Sequence, residues 1–240
     1  ANTGLGLVWA QHNVSLVSQV GTDEIGDWIV AQASTQGLDC RMVQRFKGNT
    51  CEMLLVMTPD GERTIIRPQR PVFTLEKQQN WANWDAFYIN TSALGADTWA
   101  LAAMTQSKTL VVAQLAKDER PRPCHVLIAS ITDMQGRCGQ DLWAFAQSIS
   151  GDSLRYFIVT DGEHGAKVYR QSGYQHVPAI AADVIDTTGA GDNYAAGVIH
   201  GLCSGASITD AMTEGARWAA FAVATPSSVP GDKLKDYLAV

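Results

Sequence analysis

Seven consecutive residues, Asp186-Thr187-Thr188-Gly189-Ala190-Gly191-Asp192, carry the clearest chemistry in this sequence. Val184 and Ile185 lead into them, and an apolar run with small residues, 193–202, follows. The stretch therefore predicts a loop that becomes a helix N-terminus. Gly189, Ala190 and Gly191 leave backbone N–H groups uncovered there, and the helix dipole adds partial positive charge. That combination seats a phosphate. Asp192 falls in the first helical turn, at the edge of the seat. A carboxylate so placed can accept a proton from a hydroxyl that attacks phosphorus. An anion hole beside a carboxylate base implies phosphoryl transfer to an alcohol. For the glycines taken alone, a glycine-rich turn capped by an aspartate is the competing reading.

A second glycine-rich stretch is Val159-Thr160-Asp161-Gly162-Glu163-His164-Gly165-Ala166. It places Thr160 at a strand end, then two glycines that let the backbone approach a polyphosphate. By itself it reads equally as a hairpin turn. Competing motifs are absent. No G-x-x-x-x-G-K-[ST] occurs, and Tyr194 stands where the third glycine of G-x-G-x-x-G would fall. No G-x-S-x-G or H-E-x-x-H occurs either. His12, His125, His164, His176 and His200 lack ligand spacing and read as structural or surface residues.

The elements that must position these residues alternate. Strands are expected at 14–20, 86–90, 109–113, 125–129 and 155–160, and helices at 24–36, 96–104 and 142–148. Two hairpins are expected. One joins 51–57 to 63–67 through Thr58-Pro59-Asp60-Gly61-Glu62, and the other turns at Gln171-Ser172-Gly173. Two helices, 193–202 and 208–223, close the chain, the second capped by Ser207. Alternation of this kind builds a mostly parallel sheet covered on both faces. Ligands bind at the carboxyl ends of such strands, where Thr160 and the Asp186 loop fall. The 51–67 hairpin interrupts the alternation and projects as a small lid.

The Asp186–Asp192 run resembles the D-T-x-G-A-G-D signature of the ribokinase-like (PfkB) carbohydrate kinases. Val20-Gly21-Thr22-Asp23-Glu24-Ile25-Gly26 is similar to that family's V-G-x-D-x-x-G, Asp60-Gly61-Glu62-Arg63 to its lid turn, and Val159–Gly165 to its V-T-x-G-x-x-G. The resemblance spans nearly the full length. It implies an α/β ribokinase-like three-layer sandwich with a mostly parallel central sheet and a small β lid, a single domain over 1–240. The activity implied is an ATP-dependent sugar or nucleoside kinase using Mg2+. Asp192 would be the base, and Gly189, Ala190 and Gly191 the anion hole. Thr160, Gly162 and Gly165 would line the nucleotide site, and Asn2 would contact substrate hydroxyls. Arg67 and Arg70 would reach an anionic substrate group or remain solvated lid residues. By the same resemblance the lid pairs with a second copy in a homodimer.

Departures from the pattern are specific. Ala1-Asn2-Thr3-Gly4 is similar to the end of the family's G-G-x-x-x-N element without its glycines, and the family's first strand and first lid hairpin have no counterpart. The sequence is then either a piece of a longer chain or an atypical member. The family's N-x-x-E is Ser130-Ile131-Thr132-Asp133 here. Asp133 either keeps an outer-shell role toward Mg2+ or simply starts a helix. Gln114 replaces an acidic residue. Asp186 and Thr188 match positions of a monovalent-cation site, so K+ activation is implied, although the loop 224–228 lacks the usual glycine. Two alternatives stay open: a non-catalytic sugar- or nucleotide-sensing protein of the same fold, and a kinase for a vitamin-type alcohol, against which the lid argues.

Composition bounds the rest. The 240 residues are 46% hydrophobic and 18% charged, enough for a sizeable core and not the make-up of a disordered chain. A net charge of −6 without a basic run argues against nucleic acid. No apolar run is long enough to span a bilayer, so no membrane role is expected. Five scattered cysteines without C-x-x-C read as reduced thiols in a cytoplasmic protein.

Overall fold

Short strands rich in Val, Ile, Leu and Ala form the middle layer of a three-layer molecule. The computed structural model describes residues 1–57, 63–66, 68–75, 79–118, 120–229 and 231–239. In chain order the elements are α1 (Asn2–Trp9), β1 (Ser18–Gly21), α2 (Glu24–Thr35), β2 (Val43–Phe46), β3 (Leu54–Met57), β4 (Arg63–Ile66), β5 (Ala86–Ile89), α3 (Ala96–Gln106), β6 (Leu110–Gln114), β7 (Val126–Ser130), α4 (Ile131–Met134), α5 (Leu142–Ser150), β8 (Tyr156–Thr160), β9 (Ala166–Arg170), β10 (Gly173–Val177), α6 (Ala190–Cys203), α7 (Ile208–Val223) and α8 (Asp232–Leu238). The main sheet runs β10-β9-β8-β7-β6-β5. Strands β5 to β8 are parallel, and β9 and β10 add an antiparallel edge.

Alternation along these strands sorts the core into two halves. Val111, Ala113, Leu127, Ala129, Phe157 and Val159 face α3 and α5, where Trp99, Ala100, Ala103 and Ala146 meet them. Val112, Val126, Ile128 and Ile158 face α6 and α7, against Ala195, Val198, Met212 and Trp218. Strands buried on both faces are expected to be continuously apolar, and β6 to β8 are.

The three-layer α/β class with a mostly parallel central sheet expected from the sequence is what the chain adopts, with several local differences. The strand expected over 14–20 is ordered as β1 only, although Ser15 adds an isolated parallel bridge to Asp39. Its parallel partner β2 was not expected, because Val43-Gln44-Arg45-Phe46 shows no apolar run. Residues 2–9 form a helix despite Gly4 and Gly6, poor helix formers. Packing decides there: a Cβ on Gly6 would lie 3.1 Å from the Trp218 ring, so α1 seats against the helical layer. A third helix, α8, follows the two expected to close the chain, and buries Leu234. Among the described residues of the connection 115–125, between parallel neighbours β6 and β7, there is no helix, where such crossovers usually carry one.

β3 and β4 form their own antiparallel pair, Leu54 opposite Ile66 and Met57 opposite Arg63. The turn 58–62 lies outside the described residues. The run approaching the lid is anchored by Asp23, which caps α2 through Gly26 N and accepts from Thr50 N at 2.9 Å and Thr50 Oγ1 at 2.6 Å. These bonds, that from the Thr50 hydroxyl foremost, hold the Asp23 carboxyl below its ordinary range. A depressed folded value contributes stability above the unfolded value, lost as pH falls through the folded one. Asp23→Asn should therefore lower Tm at pH 7, and the gap to the unsubstituted protein should close as pH is taken below about 4. Thermal melts across that range check it; a pH-independent gap would show that the charge is not what matters.

Candidate active site

The head of α6 is built by one buried amide. Asn193 is fully buried, and its Nδ2 donates to Gly189 O at 2.8 Å and to Ser228 O at 3.2 Å. The loop before α6 is thereby tied to the loop after α7. Gly189, the residue preceding the helix, has φ +84°, and a Cβ there would run into the Ser228 carbonyl. Glycine is required on both counts. Gly191, two residues on, is exposed, and a Cβ there meets nothing within 4 Å. Its open face is where an anion can approach the first-turn N–H groups. The axis of α6 is fixed by close packing on α7. A Cβ on Gly197 would fall 2.8 Å from Glu214 O, and one on Gly215 2.8 Å from Tyr194 O.

Asp192 stands in the first turn of α6 and is held by two neutral amides. Asn2 Nδ2 donates to Oδ2 and Asn90 Nδ2 to Oδ1, each at 3.0 Å. Thr3 Oγ1 donates to the Asp192 backbone carbonyl at 3.1 Å. Asn2 and Thr3 come from the start of α1, and Asn90 from just past β5. Asn2 was expected to meet substrate; its amide here donates to the Asp192 carboxylate. Asn90 was not expected at all. Its only signal in sequence is an amide at the carboxyl end of a strand, the place where ligands gather in such sheets. Tyr88, beneath it, has its phenol pushed up by burial and then by the charge of Asp192. Thr3, Tyr88, Asn90 and Asp192 line a cleft of about 1000 Å³ that runs between residues 15–18 and 85–88 and also receives Arg70 from beside the lid. Arg67 lies outside the described residues. Arg70 Nη2 lies 3.4 Å from Met53 Sδ.

Thr160 ends β8, opposite Ser130 on β7. Its hydroxyl donates to Ala129 O at 3.3 Å. Gly162 and Gly165 bound a short 3-10 turn, and a Cβ on Gly165 would strike the Val177 carbonyl. Thr160 is three strands from Asn90, about 14 Å at ordinary strand spacing. Asp133 closes a capping box: its Oδ2 accepts from Ser130 N at 3.2 Å and from Ser130 Oγ at 2.7 Å, while Ser130 Oγ accepts from Asp133 N. Starting a helix is thus one job Asp133 performs. Asp186 Oδ1 accepts from Thr188 N at 2.8 Å, which shapes the loop leading to Gly189. Among the described residues no group of three or more His, Cys, Asp or Glu could hold a metal. Two histidines pair with each other, His12 Nε2 to His200 Nδ1 at 2.8 Å, and His125 Nδ1 accepts from Val111 N.

Comparison with known proteins identifies the class of protein. The family model for the pfkB family of carbohydrate kinases matches residues 1–233. Fructosamine kinase FrlD of Bacillus subtilis is 23% identical over 87% of this chain and 77% of its own length. The fructokinase of Escherichia coli is 24% identical over 88% of this chain and 78% of its own. A ribokinase of Arabidopsis thaliana, solved with ribose and ATP, superposes with a TM-score of 0.78 at 18% identity, over 99% of this chain and 85% of that one. The fold and the match make this a phosphotransferase of the sugar-kinase class. The chain belongs to the PfkB family of carbohydrate kinases.

The two seat glycines should behave differently. Gly189→Ala should cost at least about 1–3 kcal/mol, from its left-handed backbone and the Ser228 contact. Gly191→Val should leave Tm nearly unchanged and abolish turnover, since its side chain fills only the open approach. Calorimetry alongside a turnover assay separates the two; a large Tm loss in Gly191→Val would overturn the assignment of an open face.

Proposed function

We propose that the protein transfers the γ-phosphoryl group of ATP to a hydroxyl of a sugar or sugar-like acceptor, with Asp192 as base and residues 189–192 as anion hole. The observation that carries this reading is Asp192, oriented by Asn2 and Asn90 at the head of a helix whose Gly191 face is open. The acceptor hydroxyl lies against Asp192 in the large cavity. As its oxygen attacks the γ-phosphorus, the proton passes to the carboxylate, the bond to the β,γ-bridging oxygen breaks, and ADP leaves. First-turn N–H groups of α6 meet the charge on the transferred group. Thr160, Gly162 and Gly165 line the nucleotide, and the roughly 14 Å between the ends of β5 and β8 suits an extended nucleoside triphosphate.

Mg2+ fits such a site as an ion held mainly by nucleotide phosphates and water, with Asp133 as one outer carboxylate. When bound it neutralises phosphate charge; no protein cage for it is present among the described residues. A monovalent cation fits the region between the Asp186 loop and residues 227–228. Asn193 Oδ1 is buried there without a partner, an oxygen such an ion would satisfy. K+ should then raise Tm relative to an equal concentration of an organic cation too large to enter. The cytoplasm is the proposed compartment, in keeping with five unpaired cysteines.

The lid supports a homodimer. Met53, just before β3, and Leu54, Val56 and Ile66 on the two-stranded sheet are exposed. An isolated hairpin is marginal in water, and a second copy's lid supplies a matching apolar face. Light scattering should show a dimer at micromolar concentration, and Leu54→Lys should shift it to monomer; a monomer before substitution would sink the proposal.

The central test is Asp192→Asn. Turnover of ATP with a sugar panel should fall about 10²–10⁴-fold while nucleotide binding persists. Turnover close to the original level would remove Asp192 from the chemistry.

A further inference from the structure

A second cavity, about 350 Å³, lies on the other side of the β5 end, lined by Ile89, Thr91, Gly95, Ala96, Asp97, Arg120 and Arg122 among others. Arg122 is its unusual member. The residue is only 5% exposed, and its Nε has no hydrogen-bond partner. Among the described residues no carboxylate pairs with it. Asp118, whose charge acts on Arg122, is engaged by Arg120 at 3.0 Å. A buried guanidinium unpaired among the described residues is costly unless it meets an anion. Burial already pushes the Arg122 guanidinium below its ordinary value.

The same cavity receives the N-terminus of α3, an eleven-residue helix. Gly95 precedes it in the left-handed region and offers no side-chain cap. The N–H groups of Asp97 and Thr98 therefore lack intrahelical acceptors, and the positive end of the dipole faces the space. Thr91 adds a hydroxyl. Arg120 stands at the rim, with Nη1 on Ser92 O at 2.6 Å. One group opposes an anion, the exposed Asp97 carboxylate. A planar fork, a helix N-terminus and a hydroxyl together match the geometry of a tetrahedral oxyanion better than that of a carboxylate.

We propose that this cavity binds a phosphate-type oxyanion, either inorganic phosphate or the phosphate of a small monoester, separately from the catalytic seat. Arg122 is its principal ligand. The two sites are neighbours through one strand end: Thr91 lines both cavities, while Asn90, between Ile89 and Thr91, holds Asp192.

The test uses the Gly191→Val background, in which the catalytic seat is blocked, so that binding there cannot be mistaken for binding here. Inorganic phosphate titrated against chloride at matched ionic strength should give a saturable rise in Tm of a few degrees. Adding Arg122→Met should remove that rise while leaving the phosphate-free Tm equal or higher, because an unpaired buried charge has gone. A rise that survives Arg122→Met, or no rise at all, overturns the proposal. Should the methionine variant fail to fold, Arg122→Lys keeps the charge without the fork and should weaken phosphate binding at least tenfold; an undiminished response there also overturns it. Competition by glycerol phosphate separates the sources: displacement marks a monoester site, and its absence a site for free phosphate. Because the readout is binding, its failure leaves the kinase reading standing, and the reverse.

Discussion

The active end of this molecule hangs on Asn193. A single buried amide, with no solvent to share it, fastens the carbonyls of Gly189 and Ser228. That fastening adds a side-chain tie to the backbone bonds from Ile185 N and Asp186 N to Val223 O. Without it, the first-turn N–H groups would lose a constraint on the direction that makes them useful to an anion. An oxyanion hole works because its dipoles need not reorganise as charge develops. Here the rigidity is supplied from below, by the glycine contacts that press α6 onto α7, and from above, by the Asn193 amide. Everything else at the site is positioned relative to that helix head.

How much of this could be seen in the sequence follows from how local each determinant is. The loop and helix start at 186–192 were legible because their determinants are contiguous: seven residues specify loop, glycine turn, helix start and first-turn carboxylate. The central strands were legible because burial on both faces leaves them uniformly apolar, and Ser207 marked its helix start because capping needs only neighbouring residues. Residues 2–9 and β2 were not legible. The helix over 2–9 exists because Gly6 fits against Trp218, more than two hundred positions away, and Val43–Phe46 pairs by position, not by pattern. Asn90 was missed for a related reason. An asparagine after a strand says nothing until the fold brings it to Asp192.

Two structural jobs also intrude on residues that motif resemblance singles out for function. Asp133 caps the helix it begins, and Thr160 spends its hydroxyl on Ala129 O. Neither excludes a ligand contact, since a carboxylate or hydroxyl oxygen keeps further acceptor capacity. It does mean that their positions are set before any ligand arrives. Motif positions at the carboxyl ends of parallel strands commonly carry this double duty, because the same free groups that cap the next helix face the ligand crevice.

For the role proposed for Asp192, neutral partners suit better than a salt bridge would. Lysine or arginine at 3.0 Å would orient the carboxylate equally well, but a full positive charge favours the ionised form and makes it a poorer proton acceptor. Asn2 and Asn90 supply direction with neutral dipoles. Each takes one lone pair of one oxygen, leaving the other to meet a hydroxyl. Their origins matter as well. One comes from the first turn of α1 and the other from the end of β5, so the carboxylate is held only when both have docked on α6. The geometry of the Asp192 carboxylate thus reports on the assembly of the layers around it. A local change in the seating of α1 or in the Ile89–Thr91 strand end reaches the chemistry through one hydrogen bond.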